Sequence, residues 1–174
     1  MANYAVVRTD NMYGVDVRAG LVSVKYMGAD GNTPAAIENG SIVKVDALMA
    51  GEREIFTGKD VAAGDVVQDI ALIASPEVMY DERKRNLDEF INEKNTACRG
   101  YRLHNGDIFS VTKEAFVGGT APAVGNVVEM AAGTKMKAAE TATAGSTTIG
   151  TVIAVETAGR YTYYVVRVGE KAAQ

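Results

Sequence analysis

Four times along this chain a glycine is followed by one small polar residue and two β-formers: Gly40-Ser41-Ile42-Val43, Gly64-Asp65-Val66-Val67, Gly106-Asp107-Ile108-Phe109 and Gly125-Asn126-Val127-Val128. Glycine tolerates positive φ, the short polar side chain hydrogen-bonds the local backbone, and the apolar pair suits a pleated, half-buried surface. Each copy therefore reads as a turn that launches a strand. Tryptophan is absent and only 4 of the 174 residues are phenylalanine, so the core must be assembled from small and branched side chains. The predicted fold is mainly β: a small barrel or sandwich built from two β modules, with one amphipathic helix inserted between them.

Residues 1–14 read as an N-terminal arm or edge strand around the short apolar run Ala5-Val6-Val7. The first β module covers 15–80. It places a strand on either side of a turn at Ala19-Gly20, a surface loop from Gly28 to Pro34, and strands at Ile42 to Val45 and Glu54 to Thr57. A final stretch from Asp65 to Ala74 contains an apolar run bounded by Pro76 and reads as a fully buried strand. The insert, 81–100, carries the helix over Asp81 to Lys94, with Asp81 as its cap and Leu87, Phe90 and Ile91 at i, i+3 and i+4. The second module, 101–168, repeats the grammar with strands at Val127 to Met130, Thr134 to Ala138 and Thr148 to Glu156. Its last strand turns at Ala158-Gly159 and returns as Tyr161 to Val168, the clearest hairpin of the chain. Residues 169–174 are expected to form a loose polar tail. Asn39-Gly40-Ser41-Ile42-Val43-Lys44-Val45 and Asn105-Gly106-Asp107-Ile108-Phe109-Ser110-Val111 share four residues in register; duplication and reuse of the same turn grammar both account for this.

A formal charge of -4 lacks the basic excess that neutralising phosphates requires, so no direct nucleic-acid partner is expected. No stretch approaches the roughly 20 apolar residues of a membrane span. The start Met1-Ala2-Asn3-Tyr4 lacks a basic region followed by an apolar one, so synthesis in a cytoplasm is expected. The single cysteine, Cys98, reads as a buried or incidental thiol, and the single histidine, His104, as a solvent-facing or turn-supporting residue. Asp81, Glu82, Asp88, Glu89 and Glu93 alternate with Arg83, Lys84, Arg85 and Lys94, which reads as a solvated charged face with a docking surface as the alternative. No catalytic, metal-binding or cofactor-binding residue is assigned, because no nucleophile with a base, ligand cluster or phosphate loop is found.

Neighbouring residues of a strand point to opposite faces, so one layer cannot bury both Tyr163 and Tyr164. One of them is expected to meet a partner or a second layer, and Tyr suits either place because its ring is apolar and its tip polar.

The Ala/Gly/Thr/Val-rich modules, above all Ala62-Ala63-Gly64-Asp65-Val66-Val67, Ala123-Val124-Gly125-Asn126-Val127-Val128 and Gly150-Thr151-Val152-Ile153-Ala154-Val155, resemble the decoration or cement proteins of tailed-bacteriophage heads. The resemblance covers about two thirds of the chain, and the insert from Asp81 to Arg99 departs from it. It implies a virion protein on the capsid surface, made in the host cytoplasm, that binds the outside of the shell and stabilises it without catalysis. Its implied partners are the major capsid protein and neighbouring copies of itself. Expected contact residues are Tyr4, Val6 and Arg8 in the arm, Arg83 and Arg85 on the charged helix, and Tyr161 and Tyr163 in the hairpin. The alternative is a ligand- or carbohydrate-binding adhesion module that stacks its ligand on Tyr161 and Tyr163.

Overall fold

The structure, a computed structural model, describes residues 3–11, 20–81, 83 and 86–169. Its ten strands are β1 (Leu21–Tyr26), β2 (Ile42–Leu48), β3 (Ile55–Lys59), β4 (Ile70–Ile73), β5 (Cys98–Arg102), β6 (Ile108–Val111), β7 (Val127–Met130), β8 (Met136–Ala139), β9 (Thr148–Ala158) and β10 (Tyr161–Val168). The first five close into a barrel of order β1-β3-β2-β4-β5, and the rest form an open sheet of order β6-β10-β9-β7-β8. The chain is thus mainly β, as the strand punctuation predicts. The strand expected before the Ala19-Gly20 turn lies outside the described residues.

Strand β4 shows how the two halves become one body, since all four of its residues are buried. Ala71 and Ile73 face the barrel interior with Val24, Val43, Val45 and Cys98. Ile70 and Leu72 face the other way, into a larger apolar layer shared with Phe109, Met130 and Val166 of the sheet. A continuous apolar run is what burial on both faces requires. Backbone bonds stitch the same seam: Val61 and Gly133 exchange N–H···O bonds of 2.9 and 3.0 Å, and the Thr147 N–H donates to Ala63 O at 2.7 Å. The barrel interior is narrow, and Gly58 and Gly100 line it where a Cβ would crowd the valines of β1. Burial there pushes the Cys98 thiol up to about 11.

Three of the glycine motifs share one turn. The N–H groups of Asp65, Asp107 and Asn126 each donate to the carbonyl three residues back at 3.1 Å. Their side chains return the bond to the N–H of Ala62, His104 and Ala123, at 2.7, 2.9 and 2.8 Å. Gly106 and Gly125 sit at φ 98° and 90°, and strands begin two residues later. The Gly64 copy departs from the expectation. Its φ is not positive, and it leads into a 3-10 turn at Val67–Asp69 before β4 begins at Ile70. His104 therefore belongs to a turn, with its ring largely exposed.

The helix expected over Asp81 to Lys94 does not form among the described residues. Among the described residues this stretch holds one 3-10 turn, Leu87–Glu89, opened by the Glu89 carboxylate accepting the Asn86 N–H at 3.1 Å. Phe90 is extended (φ -77°, ψ 134°), and Asn92 pairs like a strand with Ile37, exchanging two backbone bonds of 2.9 Å. The Asn92 side chain also donates to Ile37 O and to Asn39 Oδ1. These tertiary bonds outweigh a helical stripe of three apolar residues, because most helical stability derives from packing rather than propensity. The described residues of 76–94 form a strap across the barrel wall. Residues 98–100, expected in the insert, begin β5, which pairs with β1 and β4.

Candidate interaction surface

At the tip of the β9–β10 hairpin the structure gathers three elements: the two-residue turn Gly159-Arg160, the N-terminal segment and the strap. The N-terminal segment lies along the outer edge of β6. The Arg8 N–H donates to Ser110 O at 2.9 Å, the Thr112 N–H to Val6 O at 3.0 Å, and Val7 bridges Val111. Ala5, Val6 and Val7 are all buried, so the expected role of Val6 as a partner contact gives way to one inside the molecule. This apolar triplet is packed on the chain's own sheet.

Tyr161 and Tyr163, two residues apart on one face of β10, have ring centroids 6.2 Å apart. The Arg8 guanidinium lies 5.7 Å from the centre of the Tyr163 ring and pairs with Asp10 at 2.7 Å. Arg160 covers Tyr161 at 5.1 Å and reaches Asp88 on the strap at 2.6 Å. The Tyr161 hydroxyl donates to the same Asp88 oxygen, also at 2.6 Å. Burial, then the Asp88 hydrogen bond, raises the Tyr161 phenol above its ordinary range. Burial would raise Asp88 too, but the Tyr161 hydroxyl, backbone N–H groups and Arg160 outweigh it and hold the carboxyl low. The result is an ionised carboxylate clasped between hairpin and strap.

The expected contact residues therefore divide. Arg8, Tyr161 and Tyr163 come together, and Tyr4 sits beside them with its N–H on Asp88 O at 3.2 Å. Arg83 stands apart, exposed and bonded to Asp81 at 3.0 Å, and Arg85 lies outside the described residues. Both Tyr163 and Tyr164 are buried. Tyr164 meets Phe116 edge to face in the shared core, and the second layer over Tyr163 includes the chain's own Arg8.

Two surfaces that the sequence reading missed remain open. On the strap, Tyr80 is 96% exposed and Val78 62%. They border a groove of about 570 Å³ whose other walls include Phe90, Ile91 and Leu21. The apolar triplet Val78-Met79-Tyr80, placed between Pro76 and a run of charges, was its sequence signal. The second surface is the far half of β9, where Ile153 and Val155 are 43% and 45% exposed. Among the described residues no cluster of three or more His, Cys, Asp or Glu side chains is placed to hold a metal ion. Comparison with known protein families, with curated proteins and with solved structures returns no match for this chain.

Proposed function

We propose that this chain is a structural component of a bacteriophage particle that binds the outer face of the capsid and reinforces the shell, a role that asks for no catalysis. The proposal takes its partner from the resemblance of the glycine-punctuated β modules to head decoration proteins. The observation that carries it is the strap, where Tyr80 and Val78 project beside an apolar groove. Large apolar side chains grouped this way mark a surface meant to be covered, and an aromatic ring with a polar tip is a favoured anchor. A symmetric shell offers the same site many times, so a modest contact per copy suffices for tight decoration. In this reading the strap is the capsid-facing surface, and the Asp88 clasp fixes the strap to the hairpin.

The test is co-sedimentation of purified protein with expanded phage heads lacking it. A Val78→Ser/Tyr80→Ser variant, altered only at exposed positions, is expected to keep its thermal midpoint and to lose most of its occupancy on shells. Undiminished occupancy of that variant, or no binding by the unaltered chain, would overturn the proposal.

A further inference from the structure

We propose that two copies of this chain join edge to edge through β9, continuing the sheet across a two-fold axis that passes through Val155. This deepens the decoration reading by assigning the surface through which neighbouring copies meet. Strand β9 is eleven residues long, but β7 pairs only with Thr148 to Thr151 on that side. Val152 is covered next, its N–H donating to Asn126 O at 2.9 Å and its carbonyl accepting from the Gly125 N–H at 2.8 Å. Beyond it, among the described residues, no backbone bond outside the β10 ladder reaches residues 153–157.

The other edges are protected. The barrel is closed, the N-terminal segment covers β6, and β8 is four residues long, carries Lys137 and follows Lys135 directly. Short edges and lysines are the usual defences against unwanted pairing. The free part of β9 lacks the lysines. It is Ile153-Ala154-Val155-Glu156-Thr157, rich in β-branched residues and without lysine or proline. A bulge at Ile153, where the β10 register shifts, turns this segment away from β7, and from Ala154 to Ala158 the ladder to β10 is regular. Beyond Val155, whose partner Tyr164 still pairs with Val111 of β6, the β9–β10 hairpin is only two strands wide, which is marginal in water.

An exposed edge of this kind takes an extended strand, and Ile153, Val155 and Thr157 at alternate positions make the segment complementary to itself, so the occupant is a second copy. With the axis through Val155, antiparallel pairing sets Ile153 opposite Thr157, Val155 opposite itself and Ala154 opposite Glu156. β-branched residues face β-branched residues, and the two Glu156 carboxylates do not oppose each other. Arg8, 4.0 Å from Glu156, further offsets that charge. The pairing is isologous and closes after two copies, so it does not propagate into a fibre.

The experiment uses the full chain without shells, so that pairing and capsid binding fail separately. Sedimentation equilibrium is expected to show a monomer–dimer equilibrium, weakened at least about tenfold by Val155→Lys, which places two like charges directly opposite, with the circular dichroism spectrum unchanged. A Val155→Cys variant is expected to form a disulfide-linked dimer on mild oxidation, because directly opposed residues have Cα atoms about 4.5–5.5 Å apart, within disulfide reach. Thr157→Cys is expected not to link, since its copy lies about four residues away along the strand. A chain monomeric at every concentration, a dimer untouched by Val155→Lys, or equal cross-linking at both positions would overturn the proposal.

Discussion

The carboxylate of Asp88 and the hydroxyl of Tyr161, 73 residues apart in sequence, are joined by a hydrogen bond of 2.6 Å that fastens the strap to the β9–β10 hairpin. Arg160 binds the same oxygen at 2.6 Å, so one buried carboxylate holds two adjacent residues at the hairpin tip. Removing the charge leaves two donors facing a weaker acceptor. Asp88→Asn is therefore expected to destabilise the fold by about 1–3 kcal/mol, and Tyr161→Phe by about 1 kcal/mol, in chemical denaturation. Hydrogen exchange should quicken in residues 86–92 more than in the barrel. Equal rates throughout would mean that the clasp is not what holds the strap.

The same carboxylate makes stability depend on acid. Its folded pKa lies below the unfolded value of about 3.9, so its contribution is complete above that value and is lost as the pH falls through the folded one. Asp30 adds to the trend with the same sign. The Thr33 hydroxyl and the N–H groups of Asn32 and Thr33 hold it to about 2. Denaturation between pH 6 and pH 3 is expected to show stability falling toward acid, with a shallower fall in Asp88→Asn. A parallel fall in the two proteins would show that Asp88 is not a source of the acid sensitivity.

The N-terminal segment is part of the core. Val7 belongs to the apolar layer shared by barrel and sheet, and Val7→Ala is expected to cost about 2 kcal/mol of stability. Deleting residues 1–8 should cost more, because it also uncovers the edge of β6, and the thermal midpoint measures both. A deletion that leaves the midpoint unchanged would show that the segment contributes nothing to the fold.

Gly58 sets the width of the barrel. A Cβ built there would lie 2.5 Å from Cγ1 of Val24, so Gly58→Ala is expected to destabilise by about 1–3 kcal/mol through overpacking. Trimming the opposing side chain should restore part of this, making Gly58→Ala/Val24→Ala more stable than the sum of its single variants predicts. Strict additivity in a double-mutant cycle would argue against a direct clash.

Most strands were legible in the sequence, because period-two patterning and glycine turns are local signals. The launching turns at Gly106 and Gly125, the β9–β10 hairpin, whose turn lies at Gly159-Arg160, one residue beyond the expected Ala158-Gly159, and the doubly buried run ending at Ala74 all needed only neighbouring residues to specify them. The strap was not legible. Leu87, Phe90 and Ile91 carry helical spacing, yet Asn92 bonds to Ile37 and Asp88 to Tyr161, partners far away in the chain, and those bonds prevail over a weak local preference. Strand β5 was hidden for a related reason: Cys98-Arg99-Gly100-Tyr101-Arg102 has no apolar run, and only pairing with β1 and β4 makes it a strand.

The interaction surface divides in the same way. The sequence by itself determined a β chain of small residues with its turns in place, and it singled out Arg8, Tyr161 and Tyr163 as residues to watch. Tertiary structure alone decided that these three come together at the hairpin tip, that Val6 is interior, and that Tyr80 and the far edge of β9 are exposed among the described residues. Exposure is a property of what packs above a residue, and in this fold the covering groups come from segments tens of residues away.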